Sequence, residues 1–170
     1  RVVTDKRPDN FWHIGLIKQL FPDAKIINTV RNPLDTLISV WGLYLDIGLN
    51  YSFSIEETAA HIHAERRMMA NWNHLYPADI LTVRYEDVIA NPEAEIRRAL
   101  DFVGLPFEAA CLDFHKTAAP VRTASVWQVR QPLNDRSIGR WRNYERYLRS
   151  LPPTPALQAL FAIESGVKPA

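Results

Sequence analysis

An arginine ends an apolar segment in the stretch IINTVRNPLDTLISVW, residues 26–41. Asn32 and a proline follow it directly, and this pair is typical of a helix start, with asparagine as the N-cap. Ser39 lies about two helical turns beyond Asn32, so both can lie on one face of the helix. Arg31 and Ser39 would then offer a charged fork and a hydroxyl donor to one phosphate. The structural alternative is that Arg31 pairs with Asp35 and that Ser39 is buried filler.

A tyrosine ends a second short apolar segment, DILTVRY, residues 79–85. In open α/β sheets, ligands bind beyond the carboxyl ends of the strands. Arg31 and Tyr85 both follow such ends. There the ring of Tyr85 would contact a base or a ribose, although core packing is the alternative interpretation of a tyrosine at this place.

The elements that must position these side chains alternate along the chain. Residues 24–30 and 79–85 are β-branched apolar runs of the buried-strand type. Helices are predicted from Asn32, from Ser54, and over 91–104. The capping box of Ser54 and Glu57 marks the second start. This alternation predicts an α/β architecture with a parallel sheet.

The C-terminal third has a different pattern. Residues 105–137 show no clear periodicity, and a connection of that length is usually functional or disordered. Two helical stretches follow, at 138–149 and 154–165, and the second ends at Gly166.

Composition excludes several classes of function. The 170 residues fit one domain, and the formal net charge of +1 argues against a polybasic nucleic-acid or membrane binder. A single cysteine, Cys111, excludes an internal disulfide and gives no zinc spacing. The sequence has no 18-residue apolar span, no signal peptide and no initiator methionine, and the last point suggests a piece of a longer protein.

Three segments together resemble the sulfotransferases that use 3′-phosphoadenosine 5′-phosphosulfate (PAPS). They are FPDAKIINTVRNPLDTLISVW, VRYEDVIANPEAEIRRALDFVGLPFE and VRTASVWQVRQPLNDRSIGRWRNYE. The resemblance spans roughly residues 3–147, and it is strongest to bacterial members linked to tetratricopeptide repeats and to protein-tyrosine sulfotransferases. It implies a three-layer, P-loop-like α/β fold with a parallel sheet and a helical C-terminal part.

The resemblance implies a set of cofactor-binding residues. Arg31 and Ser39, eight positions apart, would hold the 3′-phosphate of the nucleotide. The other expected cofactor-binding residues are Tyr85, Ser125, Gln128, Val129, Arg130 and Arg140.

It also implies two catalytic residues, Lys6 and Ser125. Sulfuryl transfer spreads charge over equatorial oxygens, so a catalyst mainly positions and neutralises. Lys6 would compensate charge on the bridging oxygen, and Ser125 would donate a hydrogen bond near the sulfonate. The structural alternatives are a solvated surface lysine and a serine that caps a loop.

Two features of the family pattern are missing from the sequence. The six glycines never cluster, so no glycine loop for the 5′-phosphosulfate is present, and a third basic phosphate contact of tyrosine sulfotransferases falls on Leu43. We therefore expect residues 1–170 to be one sulfotransferase-like domain without its N-terminal phosphosulfate-loop βα unit. The general base would lie upstream of residue 1. The isolated chain is then expected to be inactive and either to form a homodimer or to pair with the missing part.

The expected donor substrate is PAPS, with adenosine 3′,5′-bisphosphate as product and no metal. The acceptor stays open among a small molecule, a glycan and a protein tyrosine, and no nucleic acid is expected as a partner. A bacterial cytoplasmic location is favoured, with the Golgi lumen as the eukaryotic alternative. Two other functions stay open: a non-catalytic nucleotide- or protein-binding module that has lost the cofactor loop, and a P-loop kinase-like fragment.

Overall fold

A computed structural model describes residues 2–42, 50–116 and 130–166. In these ranges two strands form one small parallel sheet, β1 (Ile26–Val30) and β2 (Ile80–Arg84). The helices in the same ranges are α1 (Ile14–Leu20), α2 (Pro33–Trp41), α3 (Ile55–Leu75), α4 (Tyr85–Ala90), α5 (Pro92–Val103), α6 (Glu145–Ser150) and α7 (Pro155–Glu164). Short 3₁₀ turns occupy Pro8–His13, Asn50–Phe53, Ala109–Cys111, Phe114–Lys116 and Arg140–Tyr144. None of the helices described is long and apolar enough to cross a bilayer.

Both predicted strands are confirmed, each shorter than its apolar run. Alternate residues of β1 point to partly buried and exposed sides, whereas β2 buries Ile80 and Val83. The α/β architecture is confirmed as well, since α2 and α3 connect the two parallel strands.

The chain divides into two compact units. The first unit comprises Arg1–Ile26, Asn32–Ile80 and Gly139–Ala170, and the second comprises Ile27–Arg31 and Leu81–Ile138. The larger core cluster of the first unit contains Leu34, Leu37, Ile38, Ile55, Ala59, Ile62, Trp141, Leu148, Leu157 and Leu160. A smaller cluster of the same unit contains Phe11, Ile14, Met69 and Ile80. The long helix α3 contributes to both clusters, with Ile55, Ala59 and Ile62 in the larger one and Met69 in the smaller one.

Local capping fixes where the helices begin. The side chain of Asn32 accepts hydrogen bonds from the backbone N–H groups of Leu34 and Asp35 at 3.0 and 3.1 Å. The Ser54 hydroxyl accepts from the Glu57 N–H at 3.3 Å, which is the forward half of the predicted capping box. Both helix starts therefore lie where the sequence predicts them.

The predicted helix over 138–149 is wrong in its first part. The chain enters this region through Gly139, whose φ of +71° belongs to the left-handed region and cannot continue a right-handed helix. A 3₁₀ turn over Arg140–Tyr144 comes next, and α6 begins only at Glu145. The second stretch is confirmed as α7, with Thr154 as its N-cap. In residues 105–116 and 130–137, which belong to the aperiodic stretch, the regular structure consists of two short 3₁₀ turns.

Candidate functional site

The second unit brings Arg31 and Tyr85 together. Arg31 follows β1, and Tyr85 is the first residue of α4, directly after β2. Because the strands are parallel neighbours, their carboxyl ends lie at one edge of the sheet. The guanidinium carbon of Arg31 lies 5.4 Å from the centre of the Tyr85 ring, which is within the range of a cation–π contact. The two side chains that the sequence places at strand ends are thus direct neighbours.

The backbone after residue 130 holds both side chains. The Arg31 guanidinium donates to the carbonyl of Ser137, and the Tyr85 hydroxyl donates to the carbonyl of Asn134 at 2.9 Å. The first bond holds the guanidinium of Arg31, and the second holds the hydroxyl of Tyr85. The pair is therefore oriented by a segment that the sequence describes only as aperiodic.

In the first unit, the start of α2 is joined to the turn at 139–141 by Asp35. This side chain is only 1% exposed. One of its carboxylate oxygens accepts from the N–H of Gly139 at 2.6 Å, and the other accepts from the N–H of Trp141 at 2.8 Å. The sequence suggested for Asp35 only an ion pair with Arg31 and predicted neither of these two bonds.

A second carboxylate joins the same two elements to the end of α7. Glu164 accepts from the side-chain amide of Asn32 and from the guanidinium of Arg142, the latter at 3.2 Å. Asn32 thus caps α2 through its oxygen and binds Glu164 through its nitrogen. The first turn of α2 is therefore bound to the 139–141 turn through Asp35 and to the end of α7 through Asn32.

The remaining candidate residues lie at different depths. Ser39 is half-buried on α2, while Lys6 and Arg140 are exposed, Lys6 just before the first 3₁₀ turn and Arg140 at the start of the last one. Arg130 is also exposed. The other three candidates, Ser125, Gln128 and Val129, lie outside the described residues.

Close to Asp9, the first unit holds a stacked pair of rings. The rings of Tyr51 and His61 are 3.8 Å apart and almost parallel, at 5°. Burial raises the pKa of the Tyr51 phenol, and the charge of Asp9 raises it further. Burial lowers the pKa of the His61 imidazole below its ordinary value of 6.5, although Asp9 opposes this shift. One turn further along α3, burial raises the pKa of Glu65 and the neighbouring Arg66 opposes it.

Sequence reasoning missed Asp35 and Gly139. The signal for Asp35 was present, since a carboxylate stands among the buried residues Leu34, Leu37 and Ile38 of one helix face. Such a carboxylate needs hydrogen-bond donors. In the first turn Pro33 has no N–H, and the N–H groups of Leu34 and Asp35 bind the Asn32 side chain. The identity of those donors could not be read from the sequence, because they lie 104 and 106 residues away.

Comparison with known proteins gives one family match and several relatives. A family described as "Sulfotransferase family" matches residues 1–109. An uncharacterized protein of Aquifex aeolicus (strain VF5) is 35% identical over 161 residues, which is 93% of this chain and 20% of that protein. Omega-hydroxy-beta-dihydromenaquinone-9 sulfotransferase Stf3 of Mycobacterium tuberculosis (strain CDC 1551 / Oshkosh) is 26% identical, over 62% of this chain and 29% of that protein. Protein-tyrosine sulfotransferase A of Caenorhabditis elegans is 23% identical, over 81% of this chain and 38% of that protein.

A solved structure shares the fold. The sulfotransferase domain from the curacin biosynthetic pathway superposes with a TM-score of 0.63 at 18% identity, covering 99% of this chain and 63% of that one. The chain therefore spans between one fifth and two fifths of the length of these curated relatives, and somewhat less than two thirds of the solved domain.

Proposed function

Because this chain belongs to the sulfotransferase family, we propose that it takes part in sulfuryl transfer from PAPS to a hydroxyl or amine acceptor. In that reaction the acceptor oxygen or nitrogen forms a bond to sulfur, and the bond from sulfur to the bridging oxygen of the 5′-phosphate breaks. Adenosine 3′,5′-bisphosphate leaves, and the acceptor proton passes to a base. The residues of this chain then serve mainly to bind and orient the nucleotide.

The observation that carries this proposal is the pairing of Arg31 with Tyr85 at adjacent strand ends. A guanidinium offers a planar fork of N–H donors that matches phosphate oxygens. A tyrosine ring offers an apolar face and a hydroxyl at the same place. These two groups fit a nucleotide that carries a phosphate on its ribose, and Arg31 is proposed to bind the 3′-phosphate.

Further contacts are proposed residue by residue. Ser39 would donate its hydroxyl to the 3′-phosphate, and Arg140 would add a second positive charge for the nucleotide. Lys6 is proposed to neutralise the bridging oxygen as it takes up charge, and Ser125 to donate to the sulfonate. Gln128, Val129 and Arg130 complete the proposed nucleotide-binding set.

For the acceptor, we favour a hydroxyl group. Two of the relatives are named for an omega-hydroxy quinone and for protein tyrosine, and both of these names denote an oxygen nucleophile. An amine acceptor stays within the proposal, because sulfur accepts either nucleophile with the same leaving group.

The test is a calorimetric titration of this chain with adenosine 3′,5′-bisphosphate and, separately, with adenosine 5′-monophosphate. The second nucleotide lacks only the 3′-phosphate. We expect the bisphosphate to bind more tightly and Arg31→Ala to reduce this preference. Loss of one charge-assisted contact corresponds to a weakening of about tenfold to a hundredfold.

A matched control is Arg97→Ala. Arg97 belongs to the same unit, its guanidinium carbon lies 3.7 Å from the centre of the Phe107 ring, and it pairs with Glu93 at 2.7 Å. Its removal also deletes a guanidinium stacked on an aromatic ring, so it should leave the preference intact. Equal binding of the two nucleotides by the wild-type chain would refute the proposed 3′-phosphate site.

A further inference from the structure

The carboxylate of Asp35 is buried, so the free-energy cost of removing it from water must be offset. Removing a charged group from water is costly unless hydrogen bonds replace its hydration. Two strong bonds do so here, from the N–H of Gly139 at 2.6 Å and from that of Trp141 at 2.8 Å. The position of Asp35 in the first turn of α2 also places its negative charge at the favourable end of the helix dipole.

The two donors flank Arg140. Asp35 therefore holds the main chain on both sides of this residue, while the side chain of Arg140 stays exposed. The left-handed conformation of Gly139 lets the first of these N–H groups turn toward the carboxylate. Burial of the Trp141 ring in the core anchors the other side of Arg140.

We propose that Asp35 is a positioning residue for nucleotide binding and that it acts through Arg140. This inference rests on the proposed function, because it assigns Arg140 to the nucleotide. Asp35 does not touch the nucleotide itself. It fixes the direction in which the Arg140 side chain leaves the turn, and this lowers the conformational entropy that is lost when the guanidinium binds an anion.

The test is Asp35→Asn, which keeps the size of the side chain. One amide oxygen still accepts a hydrogen bond, whereas the NH₂ group faces a backbone N–H and cannot accept from it. We expect the affinity for adenosine 3′,5′-bisphosphate to fall about tenfold, as for one lost charge-assisted bond. Binding of adenosine 5′-monophosphate should change much less, because in this proposal Arg140 acts on the 3′-phosphate.

A double-mutant cycle with Arg140→Ala separates positioning from general destabilisation. If Asp35 acts through Arg140, then Asp35→Asn causes no further loss of affinity in the Arg140→Ala background. The matched control is Ser54→Ala, which removes the N-cap of α3 in the same unit and lowers stability without touching the 139–141 turn. This control should leave the ratio of the two nucleotide affinities unchanged.

A second measurement follows the turn itself. Hydrogen exchange at the amides of Gly139 and Trp141 should be slow in the wild-type chain and at least tenfold faster in Asp35→Asn. Unchanged exchange at both amides would overturn the inference, as would additive losses in the cycle. If the wild-type chain binds both nucleotides equally, the proposed function fails and the inference falls with it. If the preference exists but Asp35→Asn behaves like Ser54→Ala, the inference alone fails.

Discussion

Gly15 permits a close approach between α1 and α3 that an alanine should disturb. A Cβ atom at this position would lie 3.0 Å from Cη2 and 3.3 Å from Cζ3 of the Trp72 ring. Both distances are shorter than ordinary carbon contacts. The ring would have to move by a few tenths of an ångström to accept the methyl group.

Two effects of opposite sign decide the outcome of Gly15→Ala. Alanine favours the helix over glycine by roughly 0.5–1 kcal/mol, because glycine loses more backbone freedom on folding. Overpacking a core costs roughly 1–3 kcal/mol. Trp72 cannot shift cheaply, because its indole N–H donates to the Phe11 carbonyl at 2.8 Å and its ring stacks on Tyr76. The overpacking should win, and the free energy of unfolding should fall by about 1 kcal/mol.

Urea denaturation of the wild type and of Gly15→Ala measures this difference, and Trp72→Phe supplies the control background. The smaller ring leaves room for the methyl group, so in that background Gly15→Ala should stabilise by roughly 0.5–1 kcal/mol. A stabilising Gly15→Ala in the wild-type background would refute the claim that Trp72 is held in place. The same destabilisation in both backgrounds would show that another contact is responsible.

Two further predictions concern stability. Leu37→Ala should lower the free energy of unfolding by about 2–5 kcal/mol, because Leu37 is 0% exposed within the larger core cluster; a urea midpoint close to the wild type would contradict this. His61→Gln should reduce the loss of stability on acidification below pH 6.5. The pKa of His61 is lowered in the folded chain. As the pH falls, the unfolded chain therefore takes up the proton first, and the free energy of unfolding decreases. Parallel curves of stability against pH for variant and wild type would count against that assignment.

Much of the fold follows from short-range rules. The start of α2 rests on the side chain of Asn32 and the proline after it, and the start of α3 rests on Ser54, in agreement with the sequence. Arg31 and Tyr85 meet because parallel strands end at one edge, and this also follows from the order of the elements. The two helix starts need no information beyond a few neighbouring residues, and the meeting of Arg31 and Tyr85 also needs the order of the elements.

The parts that sequence reasoning missed depend on distant partners. The local sequence predicts a helix over 138–149, yet Gly139 takes a left-handed conformation and binds Asp35 from 104 residues away. The carbonyl of Ser137 binds Arg31 from 106 residues away, although its own surroundings show no pattern. Every residue type carries the same backbone carbonyl and, except for proline, the same N–H group. Sequence motifs therefore do not predict a site that uses backbone groups as donors and acceptors.

Contacts between residues that are distant in the sequence cost the first unit little additional loop-closure entropy. Closing a loop of about 100 residues costs only about 2 kcal/mol more than closing one of about 10, because the entropy depends on the logarithm of loop length. Asn32 and Asp35 lie in one helical turn, and their partners at 139, 141 and 164 lie on segments that continue into the same core cluster. Once Trp141 and Leu160 are buried, forming the polar contacts closes no further long loop. The apolar core thus brings the distant segments together, and the carboxylates of Asp35 and Glu164 then select the geometry of the turn that presents Arg140.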